Sequence, residues 1–349
     1  DFKTIEDIIF ASRGKLASIY GRDAAVNDYY VELMNFWGLI NDKYESDVKT
    51  EVKLLCEGYA AGINKYLKDN PEKRTKSFED VLAEDVIAGF SHRMPLMFGL
   101  DGLLKKLSKK TIPESFGENT DIQEGSFDMT ASNVMAIAPQ RSSDGYTRLW
   151  LNTHQPWEGP VAWYEAHLES KEGWDFYGAL FPGSPVPLIG HNKNLGWSHT
   201  VNSPDLIDVY KLTINKQNKN QYWFEGYWKD FDVRTAAIKV KIIGPFSWTF
   251  KREVKTSIHG PVLDFSHGTY SLRISSIKNL RFIEQWYEMG KSKNLTQFKK
   301  AMNIHAIPMF NTGYADKNGN IYYVYNAKIP KRNNKYNWSK ILPGESKQA

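Results

Sequence analysis

The sequence predicts an α+β protein, helical in its first third and rich in short strands from residue 132 onward. Three observations lead there. Apolar residues recur at helical spacing before residue 103. A polar stretch follows. Short β-branched and aromatic segments bounded by turn residues then take over.

In order along the chain, Leu54, Leu55, Tyr59, Ile63, Tyr66 and Leu67 trace one face of a helix. Ser77-Phe78-Glu79-Asp80 predicts the cap of another, ending near Phe90. Leu103 to Met129, polar and holding Gly117 and Gly125, predicts a linker. Strands are expected at Asn133–Ala138, Thr147–Asn152, Trp163–Leu168, Ile207–Ile214, Thr235–Ile243 and Tyr270–Ile274. Helical patterns return at Arg281–Met289 and Leu295–Met302. Asp316-Lys317-Asn318-Gly319-Asn320 predicts a hairpin turn into a strand at Ile321–Tyr325. The expected division is a helical portion at 1–102, a linker at 103–131 and a strand-rich body at 132–349. This is either two domains or one domain whose helices cover its sheet.

Composition narrows the function classes. Hydrophobic residues make up 41% and charged residues 24% of the 349, ordinary for a soluble globular protein. A net charge of +5 is mild at this length, and clusters such as Lys105, Lys106, Lys109 and Lys110 read as solvated faces. No nucleic-acid-binding motif accompanies them, so no nucleic-acid partner is expected. Cys56 is the sole cysteine, so no internal disulfide forms, and its place in an apolar stripe predicts a core role. No run of 18 apolar residues exists to span a membrane. Aromatics reach 14%, enough for an aromatic core or an aromatic-lined pocket.

The common catalytic motifs are absent: no His-Glu-x-x-His, no P-loop, no Gly-x-Gly-x-x-Gly and no Gly-x-Ser-x-Gly elbow. The eight histidines show no ligand spacing. What remains is a series of segments rich in His, Trp, Pro and Gly between residues 130 and 201. They are Thr130-Ala131-Ser132-Asn133, Asn152-Thr153-His154-Gln155-Pro156-Trp157, Phe181-Pro182-Gly183, Gly190-His191-Asn192 and Gly196-Trp197-Ser198-His199-Thr200-Val201. Taken singly, each has a plain reading as a turn serine, a hydrogen-bonded histidine or a packed tryptophan.

Taken in order, they resemble the penicillin amidase family of N-terminal-nucleophile hydrolases, over nearly the whole chain. A small residue, then Ser132-Asn133 and a strand, looks like the start of that family's mature β-chain. His154 stands where the family places Gln or His, and its His-x-Pro-Trp form resembles the branch acting on long acyl chains. Tyr314-Ala315-Asp316 through Ile321 matches a later block, and Gly58-Tyr59-Ala60-Ala61-Gly62-Ile63-Asn64 resembles the helical signature of the α-chain. The resemblance implies an α/β/β/α sandwich with a helical α-chain portion and self-cleavage between Ala131 and Ser132 into an α/β heterodimer. It also implies a periplasmic or secreted location, although the N-terminus Asp1-Phe2-Lys3-Thr4 shows no signal-peptide pattern.

The chemistry is coherent. A serine hydroxyl needs a base. An N-terminal serine carries one in its own α-amine, whose unperturbed pKa of about 7.7–8.0 leaves a useful free-base fraction. No separate Ser-His-Asp triad is then required. The resemblance makes Ser132 the nucleophile, His154 the residue that orients it, and the Val201 backbone N–H an oxyanion-hole donor. Trp157 and Trp197 are expected to line the acyl pocket. No cofactor is required. Asp205 and Asp208, three apart, would suit a structural calcium, as in some family members. Their plain reading is a solvated acidic pair.

Ala131 stands where the family commonly has Gly, and the family's side-chain Asn oxyanion donor falls beyond Ala349, so an incomplete chain is expected. Asn311 matches a different, strand-entry position. The leading expectation is hydrolysis of an N-acyl amide: an acyl-homoserine lactone, a lipopeptide or a β-lactam. A non-catalytic relative that only binds an acyl ligand, and a carbohydrate-binding or scaffold protein, stay open.

Overall fold

The longest helical stripe forms a helix as predicted, but its buried face is offset: Leu54 and Tyr66 are exposed. In the computed structural model, which describes residues 2–109 and 132–348, seven helices precede the strands. They are α1 (Phe2–Ser12), α2 (Ala17–Tyr20), α3 (Ala25–Met34), α4 (Phe36–Asp47), α5 (Thr50–Asp69), α6 (Ala83–Met97) and α7 (Leu100–Ser108). Helix α5 buries Val52, Cys56, Ala60, Ile63 and Leu67, one inward stripe. Its Asn64 side chain pairs with both the N–H and the C=O of Val81, tying α5 to the segment that leads into α6.

Helix α6 starts later and runs further than its sequence signal. Asp85, not Ser77, satisfies the N-terminus by accepting from the Leu82 N–H, and Arg13, just past α1, neutralises it at 2.5 Å. The helix is buried almost all round from Asp85 to Pro95, which erases the amphipathic contrast that would reveal its ends. Leu103 to Ser108, expected as linker, belongs to α7, which buries Leu100 and Leu107. The rest of that expected linker lies almost wholly outside the described residues.

The strand-rich body contains β1 (Ser132–Ile137), β2 (Arg148–Thr153), β3 (Tyr164–Glu169), β4 (Asp175–Leu180), β5 (Ile189–His191), β6 (Leu195–Thr200) and β7 (Ile207–Leu212). Next come β8 (Gln221–Phe224), β9 (Tyr227–Asp230), β10 (Asp232–Ile243), β11 (Phe246–Thr256), β12 (Pro261–Phe265) and β13 (Gly268–Ile274). Helices α8 (Phe282–Lys291) and α9 (Leu295–Met302) precede β14 (Asn311–Asp316), β15 (Ile321–Tyr325) and β16 (Leu342–Pro343). One six-stranded sheet has the order β15-β14-β6-β5-β4-β3, and a second has the order β10-β11-β12-β13-β7-β16. β1 pairs with β2 and β8 with β9 as separate two-stranded sheets.

Alternation assigns the faces of the first sheet. On β6, Leu195, Trp197 and His199 point into the core, opposite Asp316, Tyr314 and Thr312 of β14. Helices α4, α5, α6, α8 and α9 cover this face, and their buried residues form one cluster with those of the strands. Helices and strands therefore share a core, so the helical portion is a layer over the sheet. The other face shows Gly196, Ser198 and Thr200 of β6 opposite Ala315, Gly313 and Asn311 of β14. The β1–β2 hairpin lies on that second face. A β-carbon at Gly313 would come within 2.6 Å of Val134 Cγ2, and one at Gly196 within 3.1 Å of Leu149 Cδ2. The two glycines are the hollows into which the hairpin packs.

Candidate functional site

The position of Ser132 follows from that register. Along β1, Ser132, Val134 and Ala136 share the half-buried face, while Asn133, Met135 and Ile137 are exposed. Ala136 pairs with Leu149, which sits over Gly196. Val134 sits over Gly313, which is opposite Ser198. Moving back one pleat from Ala136 to Val134 thus advances along β6 from residue 196 to 198. One more pleat carries Ser132 toward Thr200 and Asn311, where Val201 leaves the strand. Ser132 also pairs across the hairpin with Thr153, so His154, half-buried, is the first residue beyond the strand end facing it. Ser132 and His154 thus lie at the same end of the β1–β2 hairpin, the end whose register over β6 and β14 runs toward Thr200.

The loops at this end are held by side chains far away in sequence. Asn202 accepts the Phe310 N–H at 2.8 Å and donates to the Asn326 carbonyl at 3.0 Å. Asn326 in turn donates to the carbonyls of Ile307 and Met309. Phe310 sits at φ 81°, a conformation that costs a non-glycine residue energy and persists only where its surroundings enforce it. On the other side of Val201, the Thr200 hydroxyl accepts from Asn311 Nδ2 at 3.0 Å, and Tyr323 OH donates to Asn311 Oδ1. Both residues flanking Val201 are therefore tied down, and the Asn311 amide is committed at both ends. The loop that begins at His154 is anchored from α6: Arg93 Nη1 donates to the carbonyls of Pro160 and Pro182.

His199 lies under the strand end on the core side. Trp286 of α8 donates its indole N–H to His199 Nε2 at 3.0 Å, so the ring proton sits on Nδ1, facing Thr312 Oγ1. Burial pushes the His199 pKa down to about 4. The ring is neutral and its tautomer is fixed. Trp286 and Phe310, the two rings against His199, also border a cavity of about 10 Å³ with Phe90, Met94 and Met97 of α6, Phe181 and Leu188. Apart from Arg93 the lining is apolar. The volume is about that of one water, but the methionines are unbranched and adaptable.

The two expected pocket tryptophans part company. Trp157 is fully exposed in the loop after His154. Trp197 is wholly buried, its indole N–H satisfied by the Leu188 carbonyl at 3.0 Å and its ring packed on Phe176 and Phe298. Packing between sheet and helices accounts for Trp197, and it reaches no surface open to a ligand.

Of Asp205 and Asp208, the first is exposed and the second buried. Arg332 spans them, with Nη1 2.8 Å from Asp205 Oδ2 and Nη2 2.8 Å from Asp208 Oδ1. A guanidinium therefore faces one oxygen of each carboxylate. Among the described residues no group of three or more His, Cys, Asp or Glu is arranged to hold a metal, and no helix is long and apolar enough to cross a membrane.

Sequence reasoning misses Asn202, Asn326, Arg93 and Trp286. Only Asn202 carried a signal, its place directly after Val201. Asn326 reaches back 17 and 19 residues and Arg93 and Trp286 act across 67 or more, relations that no local pattern encodes.

The chain is similar to known proteins over most of its length. The acyl-homoserine lactone acylase PvdQ of Pseudomonas fluorescens is 28% identical over 334 residues, covering 88% of this chain and 42% of its own length. Aculeacin-A acylase of Actinoplanes utahensis is 25% identical over 307 residues, covering 80% of this chain and 38% of its own. The chain thus spans less than half the length of the curated relatives it matches. Among solved structures, a thermostable penicillin G acylase from Alcaligenes faecalis superposes with a TM-score of 0.50 at 25% identity, covering 60% of this chain and 38% of that one. The fold is that of the N-terminal-nucleophile hydrolases. With the penicillin amidase family profile matching residues 1–349, the chain belongs to the penicillin amidase family.

Proposed function

We propose that this chain carries the nucleophile-bearing part of an acylase that hydrolyses N-acyl amides. One observation carries the reading: the seating of the β1–β2 hairpin on Gly196 and Gly313, which runs Ser132 toward Thr200. Cleavage after Ala131, a residue outside the described ones, would free the Ser132 α-amine to take the proton from its own hydroxyl. Ser132 Oγ then attacks the amide carbonyl, and the Val201 N–H donates to the resulting oxyanion. The amine leaves with a proton, and water attacks the acyl-enzyme to release the acid. His154, next to Thr153 and across from Ser132, orients the nucleophile.

The apolar cavity under Trp286 and Phe310 suits the acyl side. Met94 and Met97 are the groups that must move for a long chain, and exposed Trp157 is placed to cover a bound substrate. Acyl-homoserine lactones, lipopeptides and β-lactams share this acyl-amide chemistry. Because residues on both sides of the cleavage point lie in one core cluster, the two products would stay together as an α/β heterodimer. An exported enzyme, periplasmic or secreted, goes with this reading.

The test is intact mass together with activity. The wild-type protein should yield two polypeptides, one ending at Ala131 and one starting at Ser132, and should hydrolyse acyl amides. Ser132→Ala should stay in one piece and release no acid. A wild-type chain that stays whole after complete folding defeats the proposal.

A further inference from the structure

Three oxygens converge on one point beside β7: Asp205 Oδ2, the Asp205 carbonyl and Asp208 Oδ1. Two carboxylates and a carbonyl are hard-cation donors. All three face a single side chain. Arg332 donates from Nε to Asp208 Oδ1 (3.0 Å) and from Nη2 to the Asp205 carbonyl (3.1 Å), and forms ion pairs from Nη1 to Asp205 Oδ2 and from Nη2 to Asp208 Oδ1, each at 2.8 Å. The Asp208 and Arg332 side chains are 1% and 14% exposed, so this is an enclosed pair. The guanidinium carbon also lies 5.6 Å from the Trp338 ring.

We propose that Arg332 is the built-in cation of this site, replacing a divalent metal and clasping the 201–206 loop to the 326–341 segment. Coordination number supports this. Calcium takes six to eight oxygens, whereas three converge here, and each is already engaged by Arg332. Charge supports it too. Arg332 and nearby Arg273 balance Asp205 and Asp208, so a dication added to this neutral set would leave two positive charges uncompensated. Geometry is the third argument, because the planar fork of arginine matches paired carboxylate oxygens. The clasp is independent of whether Ser132 is a nucleophile.

Thermal unfolding with EDTA and with millimolar calcium tests the proposal on the wild-type protein, with terbium as an optical probe read through Trp338. The wild type should melt at the same temperature in both solutions and give no tryptophan-sensitised terbium emission. Arg332→Gln, which strips the charge from the clasp, should melt about 5 °C or more lower and gain both terbium emission and calcium-dependent stabilisation. Arg332→Lys, a point charge without the fork, should fall between them, and it carries the test if Arg332→Gln does not fold. Wild-type stabilisation by calcium, destabilisation by EDTA or sensitised terbium emission would each overturn the proposal, as would variants that melt like the wild type.

Discussion

Asn202 stands in for a strand neighbour just where the ladder ends. Its amide supplies one acceptor and one donor to two backbones, those of Phe310 and Asn326, at the point where β6 gives way to the loop. Removing it leaves a buried N–H and a buried C=O unpaired, each a cost of about 1–3 kcal/mol. Asn202→Ala should therefore lower the melting temperature. If Val201 supplies the oxyanion donor, it should also lower kcat by roughly ten- to hundredfold with KM little changed, since a displaced donor is felt in the transition state. Asn202→Asp, which keeps the acceptor for Phe310, should recover part of kcat. A fall in stability with kcat intact would make Asn202 a purely structural residue. The residue scale was partly legible in sequence. Ser132, His154 and Val201 stand out by order and spacing, and Ser132 and His154 lie at one end of the β1–β2 hairpin. Trp197 shows the limit: a tryptophan in a motif reads the same whether it walls a pocket or fills a core. Only the satisfied indole N–H and the layer it lies in distinguish the two.

β14 does more than continue a sheet. Its inward residues Thr312, Tyr314 and Asp316 face the helices, while Gly313 opens the hollow under Val134. Gly313→Ala should press on Val134 and lift β1, reducing amide hydrolysis about tenfold, since roughly an ångström of misplacement is costly at a reacting centre. Val134→Ala in the same molecule should restore much of the loss, because it removes the methyls that the new β-carbon would meet. Additive losses in the double variant would refute the fit. Such elements divide by how locally they are encoded. The Asp316–Asn320 turn is visible in sequence because Asp316 Oδ1 accepts from the Asn318 and Asn320 N–H groups next door. β5 has only three residues, too few for a period to show. Buried α6 lacks a polar face, so its ends are hidden. Asn192, prominent in sequence, earns its place by binding the Gly290 and Ser292 carbonyls at the end of α8.

The whole molecule carries buried histidines in separate regions. Burial lowers His92 to about 3 and His199 and His259 to about 4, from 6.5. A histidine held neutral in the native state binds fewer protons than its unfolded counterpart. Its contribution is therefore complete above pH 6.5 and is lost as pH falls from there toward the folded value. A drop of two and a half units corresponds to on the order of 3 kcal/mol per ring, so the melting temperature should be flat above neutrality and fall steeply between about pH 6 and pH 4. A melting temperature unchanged from pH 7 to pH 4.5 would contradict the buried, neutral state of these rings. The separate β1–β2 hairpin bears differently on the same whole. Strands joined by a hydrogen-bonded ladder slip only in steps of residues, because intermediate positions leave donors facing donors. The hairpin that carries Ser132 has no such ladder to the sheet beneath it. Its height and slide are set by side-chain volume alone, so they vary continuously, and substitutions at the hollows of graded size should tune the reach of Ser132 by fractions of an ångström.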